Sequence, residues 1–146
     1  MTIDNTVTSI SYGGNEVTVT GTLTAWKQEK TFTFSTCDRS NPGSLTVVGV
    51  DLDSGNSCQT GGMVMHCTCD DDTFNPWHNF VSNTVDWKQA DGSAVCTSES
   101  NFIQAAIRQN VGFITDMLAV GAKSIWADSS EATLVGTPSN IILTKL

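Results

Sequence analysis

The sequence predicts an α+β protein, mostly β: an antiparallel β-sandwich or barrel with one helix near residues 99–120, folded as a single domain over residues 1–146. Three observations carry this. Several stretches alternate apolar and polar residues with a period of two, the mark of half-buried strands. One late stretch repeats its apolar residues every three to four positions, as a helix does. Strands and helices do not take turns along the chain, which argues against a doubly wound parallel sheet.

Residues 1–52 read as a β-meander. Between Glu16 and Ala25, Val17, Val19, Leu23 and Ala25 face one way and Thr18, Thr20, Thr22 and Thr24 the other. Gly13-Gly14-Asn15 before it suits a tight turn that needs positive φ. Thr31–Ser35 alternates again, with Phe32 and Phe34 inward, and a loop at 38–43 leads into a strand over Leu45–Val50. Residues 53–79 are irregular, with Met63–Cys67 strand-like and a turn at Asn75-Pro76-Trp77. Asn79–Trp87 forms another strand, and Asp91-Gly92 supports a hairpin. Trp26-Lys27-Gln28 and Trp87-Lys88-Gln89 echo each other as a shared way of ending a strand.

The helix starts near Ser98-Glu99-Ser100, where serine caps and an acid suits the dipole. Phe102, Ile103, Ala106, Ile107, Val111, Ile114, Leu118 and Ala119 mark its apolar face. Gly112 is placed to kink or divide it, and Gly121 to stop it. Ala122–Trp126, Ala132–Val135 and Ile141–Thr144 read as closing strands.

At 146 residues the chain can bury a proper core, so disulfides would supplement that core. Charged residues are only 15% of the chain, against about 25% in ordinary soluble domains. Thr, Ser and Asn fill the gap, a mix that suits exposed β-structure or a surface covered in an assembly. The net charge of −8 and scattered Lys and Arg argue against nucleic acid and against an anionic membrane surface. No run of 18 apolar residues exists for a membrane span. The N-terminus has neither a basic nor an apolar signal region, so the expectation is a protein kept inside a cell or one whose signal was removed.

Three of the five cysteines fall in one acidic stretch, Cys58 to Asp72, with His66 beside Cys67 and Cys69. All five, Cys37, Cys58, Cys67, Cys69 and Cys96, are disulfide candidates, and an odd number leaves one over. Cys67 with Cys69 would be strained. Of the many schemes five cysteines allow, Cys58 with Cys67 or Cys69 fits across the Gly61-Gly62 bend and Cys37 with Cys96 would link distant parts of the chain; reduced thiols acting as small hydrophobes are the other reading. His66, Cys67, Cys69 and Cys58 make a Cys3His set for a structural zinc, although the C-x-C spacing departs from the usual knuckle. His78 and Asp70-Asp71-Asp72 are further ligands in reach, and Asp51-Leu-Asp53-Ser-Gly55 resembles the first acids of a calcium loop without the rest of it. No cofactor is otherwise implied. No nucleophile elbow, zincin helix or nucleotide loop is present, so no catalytic residue is assigned.

The tryptophans sit at strand ends or in loops, where such rings plug a sandwich, stack on sugars or anchor a partner. Trp77, Trp26 and Trp87 are the interface candidates, with Trp77, between Pro76 and His78, the one expected to be most exposed.

Taken whole, the chain resembles small virion proteins of tailed bacteriophages: a bare Met start, Thr-rich alternating strands, an acidic balance, one helix and no catalytic signature. The resemblance carries over no individual residue. It implies a non-enzymatic capsid decoration, tail or baseplate protein, assembled in the host cytoplasm and located in the virion. Such a protein is a homo-oligomer that contacts itself and other virion proteins, with Thr-rich edge strands for pairing. The alternatives are a secreted, disulfide-containing lectin-like module that holds a glycan near Trp77 with calcium, and a small metal-dependent enzyme centred on His66, Cys67, Cys69 and His78.

Overall fold

A computed structural model describes residues 1–34, 43–52, 57–69, 74–97 and 101–138. Thirteen strands and three helices lie in this part of the chain, in two main antiparallel sheets and two short ribbons. The mostly β expectation holds. Neither sheet closes into a barrel.

The five-stranded sheet is the regular half. Its strands are β2 (Thr6–Tyr12), β3 (Asn15–Val17), β6 (Leu45–Val50), β10 (Trp87–Gln89) and β13 (Glu131–Gly136), in the order β10-β13-β6-β2-β3. Alternation works as expected in β6, where Leu45, Val47 and Gly49 face inward, and in β13, where Ala132, Leu134 and Gly136 do. β2 breaks the rule. A register shift between Val7 and Ser9 leaves Thr8 exposed, so Val7 and Ile10, three residues apart, both point into the core. Gly13 and Gly14 turn β2 into β3 with φ of +57° and +85°.

The four-stranded sheet runs β1 (Thr2–Asp4), β7 (Gly62–Val64), β12 (Ile125–Trp126), β11 (Cys96–Thr97). The main core lies between the two sheets: Ile3, Met63, Ile125 and Trp126 from one, Val7, Ile10, Leu45, Val47 and Leu134 from the other. The sheets come close at Gly49. A Cβ there would stand 2.7 Å from Ile3 Cδ1 and 3.1 Å from the Trp126 ring, so only glycine fits without a shift.

Val64 turns the other way, into a second cluster with α2 (Phe102–Arg108) and α3 (Gly112–Ala119). β7 is therefore covered on both faces, which is why all three of its residues are buried and no alternation marks it.

The single expected helix is two. Gly112 does not divide it: it is the first residue of α3, with open space where a side chain would go. Asn110 does, at φ +52°. The Val111 N–H bonds to Ala106 O and the Asn110 N–H to Ile107 O, a left-handed helix stop. Gly121 ends α3 the same way at φ +99°, with Ala122 N–H on Met117 O and Gly121 N–H on Leu118 O.

The expected long strand from Glu16 to Ala25 is shorter. β3 passes after Thr18 into β4 (Val19–Thr20), which pairs with β5 (Thr31–Phe32), and residues 22–28 turn instead. Asn79–Trp87 is also interrupted: β9 (Phe80–Val81) pairs with β8 (His66–Cys67), and a turn at 84–86 precedes β10. The two Trp-Lys-Gln segments differ, since Trp87 starts a strand and Trp26 lies in a turn. The strand expected over Ile141–Thr144 lies outside the described residues.

Candidate functional site

The cysteine-rich centre does not assemble as the spacing suggested. Cys58, in the short helix α1 (Ser57–Thr60), is disulfide-bonded to Cys96 in β11, with Cα atoms 6.0 Å apart across 38 residues of sequence. This corrects both expected pairings, Cys58 with Cys67 or Cys69 and Cys37 with Cys96. The reason is topological: α1 packs beside β12, the neighbour of β11, whereas Cys67 points into the sandwich core. Cys37 lies outside the described residues.

The zinc set of His66, Cys67, Cys69 and Cys58 is corrected by the same bond, because a disulfide sulfur is not a thiolate ligand. Among the described residues no group of three or more His, Cys, Asp or Glu is placed to hold a metal ion. Burial pushes the Cys67 thiol up to about 12, far from the thiolate that metal binding or nucleophilic attack requires. The imidazoles serve the local fold: His66 Nε2 lies 3.0 Å from Asn79 Oδ1, and the Cys69 N–H donates to His78 Nδ1 at 3.3 Å. Of the acidic candidates, Asp51 is buried and its Oδ2 accepts from Thr60 Oγ1 at 2.6 Å. Asp53 and Asp70 to Asp72 lie outside the described residues.

Trp77 is the clearest correction. It was expected in an exposed loop, and it is 0% exposed. The turn that carries it folds inward, with Asn75 Oδ1 accepting the Trp77 N–H at 2.9 Å. Its ring meets Phe80 at 4.8 Å, Phe34 at 5.1 Å and Tyr12 at 5.6 Å, each edge to face. Trp87 is buried too, stacked 5.7 Å from Phe80, with Nε1 donating to Val81 O. Both are core residues in this chain, and Trp77 gives a glycan no platform.

Trp26 alone of the four is half-buried. Its ring packs edge to face on Phe102 at 5.5 Å, and the Lys27 ammonium stands 5.5 Å from its centroid. Trp26 also lines an open groove of about 660 Å³, walled on one side by Asp4 and Asn5 at the end of β1 and on the other by α2. Asn101, which precedes α2, and Gln104, Ala105 and Arg108 of α2 form that wall. These recur at the helical spacing that makes one face, opposite the buried Ile103 and Ala106. Sequence reasoning passed over the groove because it had followed only the apolar face of the helix.

Beside the groove lies a buried lysine. Lys30 Nζ donates to Thr2 Oγ1 at 3.0 Å and to Ala25 O, and Thr2 Oγ1 in turn donates to Trp26 O at 2.8 Å. Burial lowers the Lys30 ammonium from its usual 10.5 to about 8. The side chain is fully covered and ties β1 to the turn that carries Trp26.

A different surface is left open at the edge of the five-stranded sheet. From Asn15 to Thr20, Val17 and Val19 pack on the core while Glu16, Thr18 and Thr20 face outward. Among the described strands, β3 has only β2 beside it and β4 only β5. Comparison with known proteins adds no assignment to these surfaces: no protein-family model matches the chain, and no curated protein and no solved structure matches it.

Proposed function

We propose that the chain is a non-enzymatic assembly protein, a virion building block that works by pairing with copies of itself and with neighbouring virion proteins. The observation that carries this reading is the open edge Asn15–Thr20. It offers strand backbone on its outer side and a row of short polar side chains, with one carboxylate, on its exposed face. Such an edge is a ready template for a strand from another chain. Apolar side chains left exposed at Leu52, Phe74 and Val85 add surface that a neighbour would cover. The low charge content fits a surface buried in an assembly.

Native mass spectrometry of the chain tests it. The expected result is a closed oligomer. Thr18→Pro, which removes one edge N–H at the break between β3 and β4, should split it into monomers that keep their circular dichroism spectrum. Thr18→Lys should do the same by placing a charge where the strands meet. A monomer at high micromolar concentration, or an oligomer unmoved by both variants, overturns the reading.

A further inference from the structure

We propose that the groove between Trp26 and α2 binds a neutral saccharide. The inference does not depend on the assembly reading, because the groove and the Asn15–Thr20 edge share no residue.

The chemistry of the walls selects this class. A sugar ring has an apolar C–H surface and a rim of hydroxyls, each able to donate and accept. It is held best by an aromatic ring flanked by planar side chains that present two polar atoms together. The groove supplies that combination. Trp26 and Phe102 are its aromatic residues, and their edge-to-face contact fixes the indole in place. Lys27 reaches over the ring on a flexible stem that an incoming sugar can displace.

The planar groups are Asn5, Asn101, Gln104, Arg108 and Asp4. Asn5 Oδ1 already accepts the Leu52 N–H at 2.8 Å, which orients the amide and leaves its Nδ2 as a donor. Asn101 makes no side-chain cap bond to its own helix. With Gln104 and Arg108 it forms a polar stripe one to two turns long, and the small Ala105 between them keeps the floor open. A helix holds such a stripe at fixed spacing, so little ordering is needed when a ligand arrives.

Other ligand classes fit less well. Arg108 is the one cation among the groove residues and faces a wall that contains Asp4, while the whole chain carries −8. Even with Lys27 over the Trp26 ring there is no cluster of cations in bidentate reach of a phosphate or polyanion. The lining is predominantly polar, which disfavours an apolar ligand. The volume of 660 Å³ lies within the range of small-ligand clefts and admits a mono- or disaccharide.

The test uses the full chain labelled with ¹⁵N. Its four tryptophans give four indole N–H signals, and three come from rings that are 0% exposed, which serve as internal controls. Trp26→Phe assigns the fourth. The probes are glucose, galactose, mannose, N-acetylglucosamine and lactose, with inorganic phosphate as the anionic comparison. The expected result is a saturable shift of the Trp26 signal with at least one sugar, at millimolar affinity, while the other three stay still. Gln104→Ala and Arg108→Ala alter exposed side chains and should each weaken that sugar about fivefold or more, as the loss of one hydrogen bond does. No saturable shift with any sugar overturns the proposal. So does a shift with phosphate alone, or a sugar shift that both variants leave unchanged.

Discussion

The regions around Trp77 and Trp26 are each built on a tryptophan, and each treats it differently. Around Trp77 the ring is enclosed by Tyr12, Phe34 and Phe80, drawn from separate parts of the chain, and no edge of it reaches water. Around Trp26 a single aromatic partner, Phe102, holds the ring against the apolar cluster of α2 and α3, and its other side opens on a polar groove. The first region is determined by long-range packing of rings from β2, β9 and the segment after β5. The second also rests on a long-range contact, Trp26 on Phe102, but its helical cover is shaped locally by the stops at Asn110 and Gly121 that fold α2 and α3 over Val64. A well-packed aromatic cluster has no room for another function, whereas a helical cover held by its own caps can leave a groove beside it.

The largest effect should separate the two tryptophans. Trp77→Ala leaves a cavity the cluster cannot fill and should cost about 3–5 kcal/mol in urea unfolding. Trp26→Ala loses a half-buried ring and should cost about 1–2 kcal/mol. Equal costs would erase the distinction between a packed and an open region.

Next in size is the disulfide. Cys58–Cys96 ties α1 to β11 at the edge of the four-stranded sheet and closes a loop of 38 residues. Replacing both cysteines with serine should cost about 2–4 kcal/mol. In unreduced protein, mass spectrometry after cyanogen bromide cleavage at Met63 and Met65 and trypsin, which separates Cys58 from Cys67 and Cys69, should recover the Cys58 and Cys96 peptides joined. Recovery of Cys58 joined to Cys67 would contradict the burial of Cys67 in the sandwich core.

Much of the regular half was legible in the sequence. β6 and β13 alternate cleanly because one face is buried and the other is not. β1 was missed, and β7 was read only as part of a strand-like run over Met63–Cys67, because neither has dry and wet faces to alternate between. β2 was missed because its bulge shifts the period from two to three between Val7 and Ile10. Trp77 was misplaced because Pro76 and His78 mark a turn correctly, yet a turn can carry its ring inward; the neighbouring Phe74 and Phe80 were the available hint. The disulfide was unreadable because pairing depends on which strands become neighbours, which spacing does not encode. The groove joins residues 4–5, 26 and 101–108, and only its helical stripe is visible in one dimension.

Two glycines sharpen the contrast between long-range and local control. Gly49→Ala drives a methyl between Ile3 and Trp126 and should cost about 1–3 kcal/mol by overpacking. Gly121→Ala meets open space and pays only for the left-handed backbone, about 1 kcal/mol. Thermal unfolding of both variants would rank them. A Gly121→Ala change costlier than Gly49→Ala would mean the helix stop, and not the approach of the sheets, is the tighter constraint.

Lys30 ties β1 to the turn that carries Trp26, and its effect is confined to a pH window. Burial lowers its folded pKa to about 8, below the unfolded value of 10.5. Below about pH 8 both states are protonated and the folded state carries the full cost of a desolvated ammonium. As pH rises from about 8 to 10.5 the folded state sheds its proton first, so folding stability rises, and above 10.5 the cost is gone. Lys30→Met removes that cost and also the hydrogen bonds to Thr2 and Ala25, two changes that offset each other near neutral pH. The parent should therefore gain on the variant as pH climbs through this window, measured by urea unfolding at each pH. A difference that stays flat would mean that water reaches the ammonium and the seam is open; a difference that falls would mean that an acidic partner holds the charge in place.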